Sequence, residues 1–132
     1  MKQITLPLPP KELSPNVRVH WRDRAKATQE YRATVKLIAI NHRNIAQRQR
    51  LWEEPTAPAV LSLVWHYKDK RLRDYDNCLA ACKALIDGLV DAGWLLGDNH
   101  QVLSIGRLGM VTGEHWSKGD YIVATIEEVP HD

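Results

Sequence analysis

Val60-Leu61-Ser62-Leu63-Val64-Trp65-His66-Tyr67 is the clearest strand signal in the chain, an uninterrupted run dominated by β-branched, aliphatic and aromatic residues. The loop that follows it, Lys68-Asp69-Lys70-Arg71-Leu72-Arg73, is basic, and a helix is expected from about Tyr75 to Ala92, with Gly93 as its stop. Upstream, Glu53-Glu54-Pro55 and Pro58 separate the strand from a long segment, about Ala25 to Gln49, that contains neither Pro nor Gly. Tyr31, Val35, Ile38, Ala39 and Ile45 recur there near helical spacing, while Arg32, Lys36, Arg43 and Arg48 fall on the other side. That pattern is an amphipathic helix with a basic outer face. Ile4-Thr5-Leu6-Pro7-Leu8-Pro9-Pro10 alternates and then stops in prolines, as an edge strand does. Gln101 to Thr112 and Tyr121 to Val129 are two further strand-like runs, joined by a polar turn. The order strand, helix, strand, helix, strand, strand predicts an α/β (α+β) fold: one small domain over residues 1–132, with a mixed sheet of about four strands packed with two main helices.

The 132 residues include no Phe, but five Trp, four Tyr and many Leu, Ile and Val supply a core, so disorder is a poor reading. No apolar run approaches the roughly 18 residues of a membrane span, and the start, Met1-Lys2-Gln3-Ile4-Thr5, has no signal-peptide character. A cytoplasmic protein without a membrane partner is expected. Cys78 and Cys82, four apart and without zinc-spaced partners, are expected to be reduced core thiols. The net charge of +2 conceals an asymmetry: residues 1–50 carry eleven Lys or Arg against three Asp or Glu, and residues 51–132 carry seven against thirteen. A basic surface beside an acidic site can hold a polyanion with one part and a cation with the other.

The densest chemistry is Arg73-Asp74-Tyr75-Asp76-Asn77. Asp76 and Asn77 suit a helix start, where side-chain oxygens accept from free backbone N–H groups. Asp74 is left unexplained by capping, and in an extended chain residues i and i+2 point the same way, so the two carboxylates would lie side by side. Such a pair repels unless a cation lies between them, and Mg²⁺ takes one or two carboxylates with water and phosphate as the rest of its shell. On a continuous helix Asp76, Ala80, Lys83 and Asp87 fall on one stripe, while Leu79, Cys82, Ile86 and Leu89 face elsewhere. Lys83 leans toward the N-terminus and can approach the acids, with Asp87 as its salt-bridge partner or support. Asp98, in the loop after Gly93, is the third candidate carboxylate, and a solvated turn aspartate is the competing reading.

Taken together, Asp74-Tyr75-Asp76-Asn77, Lys83-Ala84-Leu85-Ile86-Asp87-Gly88-Leu89 and Ala92-Gly93-Trp94-Leu95-Leu96-Gly97-Asp98 resemble the RusA family of Holliday-junction resolvases. Leu8-Pro9-Pro10, Ser14-Pro15-Asn16 and Trp21-Arg22 are similar to that family's opening, so the resemblance spans most of the chain in the right order. It implies a RusA-like fold and a small homodimeric endonuclease, often encoded by prophages, that cuts four-way DNA junctions symmetrically with a divalent metal. The family's acidic residues map onto Asp74, Asp76 and Asp98. Its catalytic lysine stands one helical turn after the second aspartate, where this chain has Ala80, so Lys83 serves from a turn further on. Its paired acids in the last loop are reduced to Asp98, with Asn99 as the alternative register.

On that resemblance the reaction is metal-assisted phosphodiester hydrolysis in DNA recombination and repair. Asp74, Asp76 and Asp98 would hold Mg²⁺, with Mn²⁺ as a substitute, and Lys83 would add positive charge at the transition state. Lys68, Lys70, Arg71 and Arg73, with Arg22 and Asn16, are the expected DNA-binding residues, and Arg24 and Lys26 can extend the track. Asp87 and Asn77 are supporting residues. His100, His115 and Trp116 stand near the last loops, where isolated His and Trp are more often structural than DNA-contacting. Two other classes use parts of the same set: a metal-dependent phosphohydrolase acting on nucleotides or RNA would use the acids, and a non-catalytic DNA-binding module would use the basic half alone.

Overall fold

A computed structural model of the protein describes residues 1–113 and 119–129, and His115 and Trp116 fall outside the described residues. The elements run β1 (Lys2–Pro7), a short 3₁₀ turn (Lys11–Leu13), α1 (Trp21–Arg48), β2 (Ala59–Tyr67), α2 (Tyr75–Ala80), α3 (Lys83–Asp91), β3 (Leu103–Thr112) and β4 (Tyr121–Glu128). The four strands form one mixed sheet in the order β1-β4-β2-β3. β4 pairs antiparallel with both β1 and β2, and β2 pairs parallel with β3. This is the small α+β architecture expected, with β1 on an edge where Pro7 interrupts no inner ladder.

Strict alternation on β2 buries Ala59, Leu61, Leu63, Trp65 and Tyr67 and leaves the residues between them half-buried. These inward residues join Ile4 and Leu6 of β1, Ile122, Ala124 and Ile126 of β4, and two helical faces in one core. α1 contributes Tyr31, Val35 and Ala39, and α3 contributes Ala84, Leu85, Ile86 and Leu89. Ile45, expected on the inward face of α1, is 42% exposed. The absent phenylalanines are replaced in the core by Trp65 and Trp94, and the Trp94 indole N–H donates to the Ala39 carbonyl at 2.9 Å. No helix among the described residues is long and apolar enough to cross a membrane.

Two helix boundaries differ from expectation. α1 begins at Trp21, four residues before Ala25, because His20 caps it: the imidazole Nδ1 accepts from the Arg22 N–H at 3.1 Å. Histidine is outside the usual capping set of Ser, Thr, Asp and Asn. The helix expected over Tyr75 to Ala92 is interrupted at Ala81 and Cys82, where the Cys82 N–H bonds back to Leu79 in a single 3₁₀-type step before α3 resumes. At the far end Gly93, with φ of 76°, turns the chain as expected, and the Trp94 N–H returns to Leu89. That reversal sends residues 95–100 back along α3.

Candidate functional site

Helix α2 starts at the residue after Asp74, which stands at the N-cap in extended conformation but makes no side-chain capping bond. The first-turn contact belongs to Asp76, whose Oδ1 accepts from the Asn77 backbone N–H at 3.0 Å. Because the chain is already helical at Tyr75, Asp74 and Asp76 are not the side-by-side pair of an extended segment. They open onto two neighbouring clefts. Asp76 lines one of about 580 Å³ with Leu79, Ala80, Lys83, Ile86, Asp98 and His100. Asp74 lines the other, about 540 Å³, where Asn16, Arg71, Arg73 and Asn77 also lie. The Asn77 side-chain amide donates to Asp74 Oδ2 at 3.4 Å.

Asp98 is brought to the first cleft by the chain reversal after α3, and its carboxylate bonds the Lys83 ammonium. Lys83 also reaches Asp87 Oδ1 at 2.8 Å, one turn along α3. The hydrogen bond to Asp87, then the one to Asp98, holds the Lys83 ammonium above its usual range. Its partner Asp98 is held below the usual carboxylate range by the same ammonium. Asn99, the alternative register, has its side-chain oxygen engaged locally: it accepts from the Gln101 N–H at 2.9 Å and closes a turn. The stripe expected on one continuous helix therefore survives the break, with Asp76 on α2 and Lys83 and Asp87 on α3.

The basic residues divide into exposed and internally engaged groups. Arg71 is well exposed, with Asp69 at 4.0 Å. Arg73 is 12% exposed: its guanidinium lies 3.5 Å above the Tyr67 ring and pairs with Asp69 at 2.7 Å. It stiffens the loop that carries Asp74. Lys68 and Lys70 are exposed on the same loop, and the Lys68 backbone N–H is anchored to Asp120 at 2.8 Å. Arg24 donates to the Val17 carbonyl at 2.7 Å and so holds the segment that presents Asn16. Arg22 lies against the Trp21 ring and Lys26 faces Glu30, and neither lines the two clefts. Cys78 and Cys82 are free thiols, and burial pushes the Cys82 thiol up to about 12.

Among the described residues no group of three His, Cys, Asp or Glu converges as a metal site, so the three-carboxylate set is not assembled around one point. Two of its members, Asp76 and Asp98, do share a cleft. A pair of carboxylates is what Mg²⁺ ordinarily takes from a protein when water and phosphate complete its shell, so these residues fit such an ion.

The depressed carboxyls set an acid limit on the fold. Asp91 is held low by a hydrogen bond from Arg32, and Asp98 by Lys83. Below the unfolded carboxylate range of about 4, the unfolded chain binds protons that the native carboxylates still refuse, so stability falls as pH falls through the native values. Thermal melts are expected to hold their midpoint from neutrality to about pH 5 and then drop, and Asp91→Asn is expected to flatten that drop. An unchanged acid slope in the variant would remove Asp91 from this account.

No protein-family model matches the chain. A protein of Xylella fastidiosa (strain Temecula1 / ATCC 700964), described as uncharacterized, is 35% identical over 96 residues, which covers 70% of this chain and 58% of that protein. The chain therefore spans less than two thirds of that relative's length.

Proposed function

We propose that the protein is a metal-dependent endodeoxyribonuclease that resolves four-way DNA junctions by paired phosphodiester hydrolysis, working as a homodimer. The observation that carries this reading is the grouping of Asp76, Asp98 and Lys83 around one cleft, beside a second cleft that holds Asp74, Asn16 and Arg71. Asp76 and Asp98 would hold Mg²⁺, while Asp74, expected as a third ligand, would act from the neighbouring cleft. When bound, the ion would activate water and stabilise charge on the scissile phosphate.

The chain's own groups divide the remaining work. Lys83, charged throughout the neutral range, offers fixed positive charge to the phosphoryl oxygens and has no proton-accepting role there. Arg71, with Lys68 and Lys70 on the exposed loop, holds flanking phosphates, and Arg73 keeps that loop in place. Asn16 adds a neutral hydrogen-bonding group on the Asp74 side. Two equivalent cuts require two equivalent sites, which a two-fold assembly supplies.

The test presents labelled four-way junction and matched linear duplex to the purified protein with Mg²⁺, Mn²⁺ or excess chelator. Paired symmetric nicks confined to the junction, and lost on metal removal, are the expected result. Equal cutting of duplex, or cutting in chelator, overturns the reading. Turnover of free nucleotides or RNA without junction preference would transfer the same cleft to a phosphohydrolase.

A further inference from the structure

Beside the cleft, α1 and α3 meet through a ladder of alternating charge. On α3, Lys83, Asp87 and Asp91 follow one another at single-turn intervals along one stripe. From α1, Arg32 meets that stripe with a two-point fork on Asp91, Nε to Oδ2 at 2.6 Å and Nη2 to Oδ1 at 2.8 Å. Its remaining nitrogen, Nη1, lies 3.9 Å from Asp87 Oδ2. Asp87 is thus bracketed, with Arg32 facing one oxygen and Lys83 bonded to the other at 2.8 Å. The ladder ends where Lys83 bonds Asp98 in the cleft.

The helices approach closely enough for this because α3 carries Gly88 at the crossing. A Cβ there would stand 2.8 Å from Val35 Cβ and 2.9 Å from the Arg32 carbonyl oxygen. The glycine that permits the contact therefore sits one residue from Asp87 and against the backbone of Arg32 itself. Arg32 is on the helix face expected to be solvated, yet it is used across the α1–α3 interface.

We propose that Arg32 is a positioning residue for the cleft, acting through Asp87 and Asp91 on Lys83. With Arg32 in place, Asp91 is paired and Asp87 is shared, so the Lys83 ammonium can divide its bonds between Asp87 and Asp98. Without it, two carboxylates one turn apart on α3 lose a cation, and their combined attraction draws Lys83 along the helix and away from Asp98. Lys36, the other α1 cation near Asp91, supplies charge but no bond to Asp87. The importance of this displacement for phosphate chemistry rests on the nuclease reading, whereas the displacement itself does not.

The experiment compares Arg32→Gln with the charge-conserving Arg32→Lys, each alone and combined with Lys83→Met. Arg32→Gln is expected to lower kcat for junction cleavage about tenfold while KM changes less than about twofold, and Arg32→Lys to recover most of the loss. In the Lys83→Met background Arg32→Gln should cost nothing further. An equal loss in both backgrounds, or a loss confined to KM, overturns the proposal. A second arm needs no substrate: the side-chain ¹⁵N–¹H signal of Lys83, assigned by its loss in Lys83→Arg, should move in Arg32→Gln and return in Arg32→Lys. A Lys83 signal unmoved by Arg32→Gln overturns the positioning role. A signal that moves supports it, and if the wild-type protein cuts no junction, that failure falls on the nuclease reading alone.

Discussion

Asp76→Asn is expected to lower junction cleavage about 100- to 1,000-fold, the several kcal/mol that a metal ligand contributes at the transition state, while binding to uncut junction stays within about twofold. The substitution is nearly isosteric. Asp76 is exposed, and its one hydrogen bond among the described residues, Oδ1 accepting from the Asn77 N–H at 3.0 Å, is kept by an asparagine oxygen. Loss of a negative charge in the first turn of α2 costs the helix about 0.3–1 kcal/mol, too little to unfold the domain. Removing a carboxylate also lessens repulsion of DNA, so any change in affinity should be toward tighter binding. Single-turnover cleavage in Mg²⁺, set beside gel-shift binding in chelator, separates the two effects. Cleavage undiminished in the variant would remove Asp76 from the chemistry.

The difference between Asp76 and its neighbour Asp74 shows where sequence reasoning reached and where it stopped. β2 was legible because its run of β-branched, aliphatic and aromatic residues is long and uninterrupted, although its strict alternation of burial shows only in the folded sheet. Lys83 and Asp87 were legible as a four-residue pair on a helix. The paired-carboxylate geometry was not, since it assumed extended backbone across a residue, Tyr75, that already belongs to α2. Nor was the step at Ala81 and Cys82, because an apolar, buried residue continues the helical pattern through the break. The Arg32–Asp91 fork joins residues 59 apart in sequence. Periodicity placed Arg32 on an outward face, and only the packing of α3 through Gly88 turned that face into an interface. Asp98 lies between these cases: its residue type was readable, but its return to Lys83 depends on the left-handed turn at Gly93.

Trp65→Ala should be the most damaging single change to the fold, and its effect should reach the cleft. Trp65 is 1% exposed near the end of β2, with β4 on one side and β3 on the other. Its ring packs against Tyr75, centroids 6.3 Å apart, and Tyr75 is the residue between Asp74 and Asp76. Cys82, fully buried at the α2–α3 break, has the same indole as a neighbour, which partly offsets the upward push that burial gives its thiol. Truncation to alanine opens a cavity beneath both the start of α2 and its junction with α3. Large-to-small changes of this kind cost about 3–5 kcal/mol, a large part of the 5–15 kcal/mol that holds a typical domain. The thermal midpoint should fall by about 10 °C or more, read by far-UV circular dichroism. Trp65→Phe retains a ring against Tyr75 and should lose markedly less. If the alanine variant lost less than about 1 kcal/mol, α2 and α3 would have settled onto β2 without the indole, and Trp65 would not be what fixes the height of the two aspartates above the sheet.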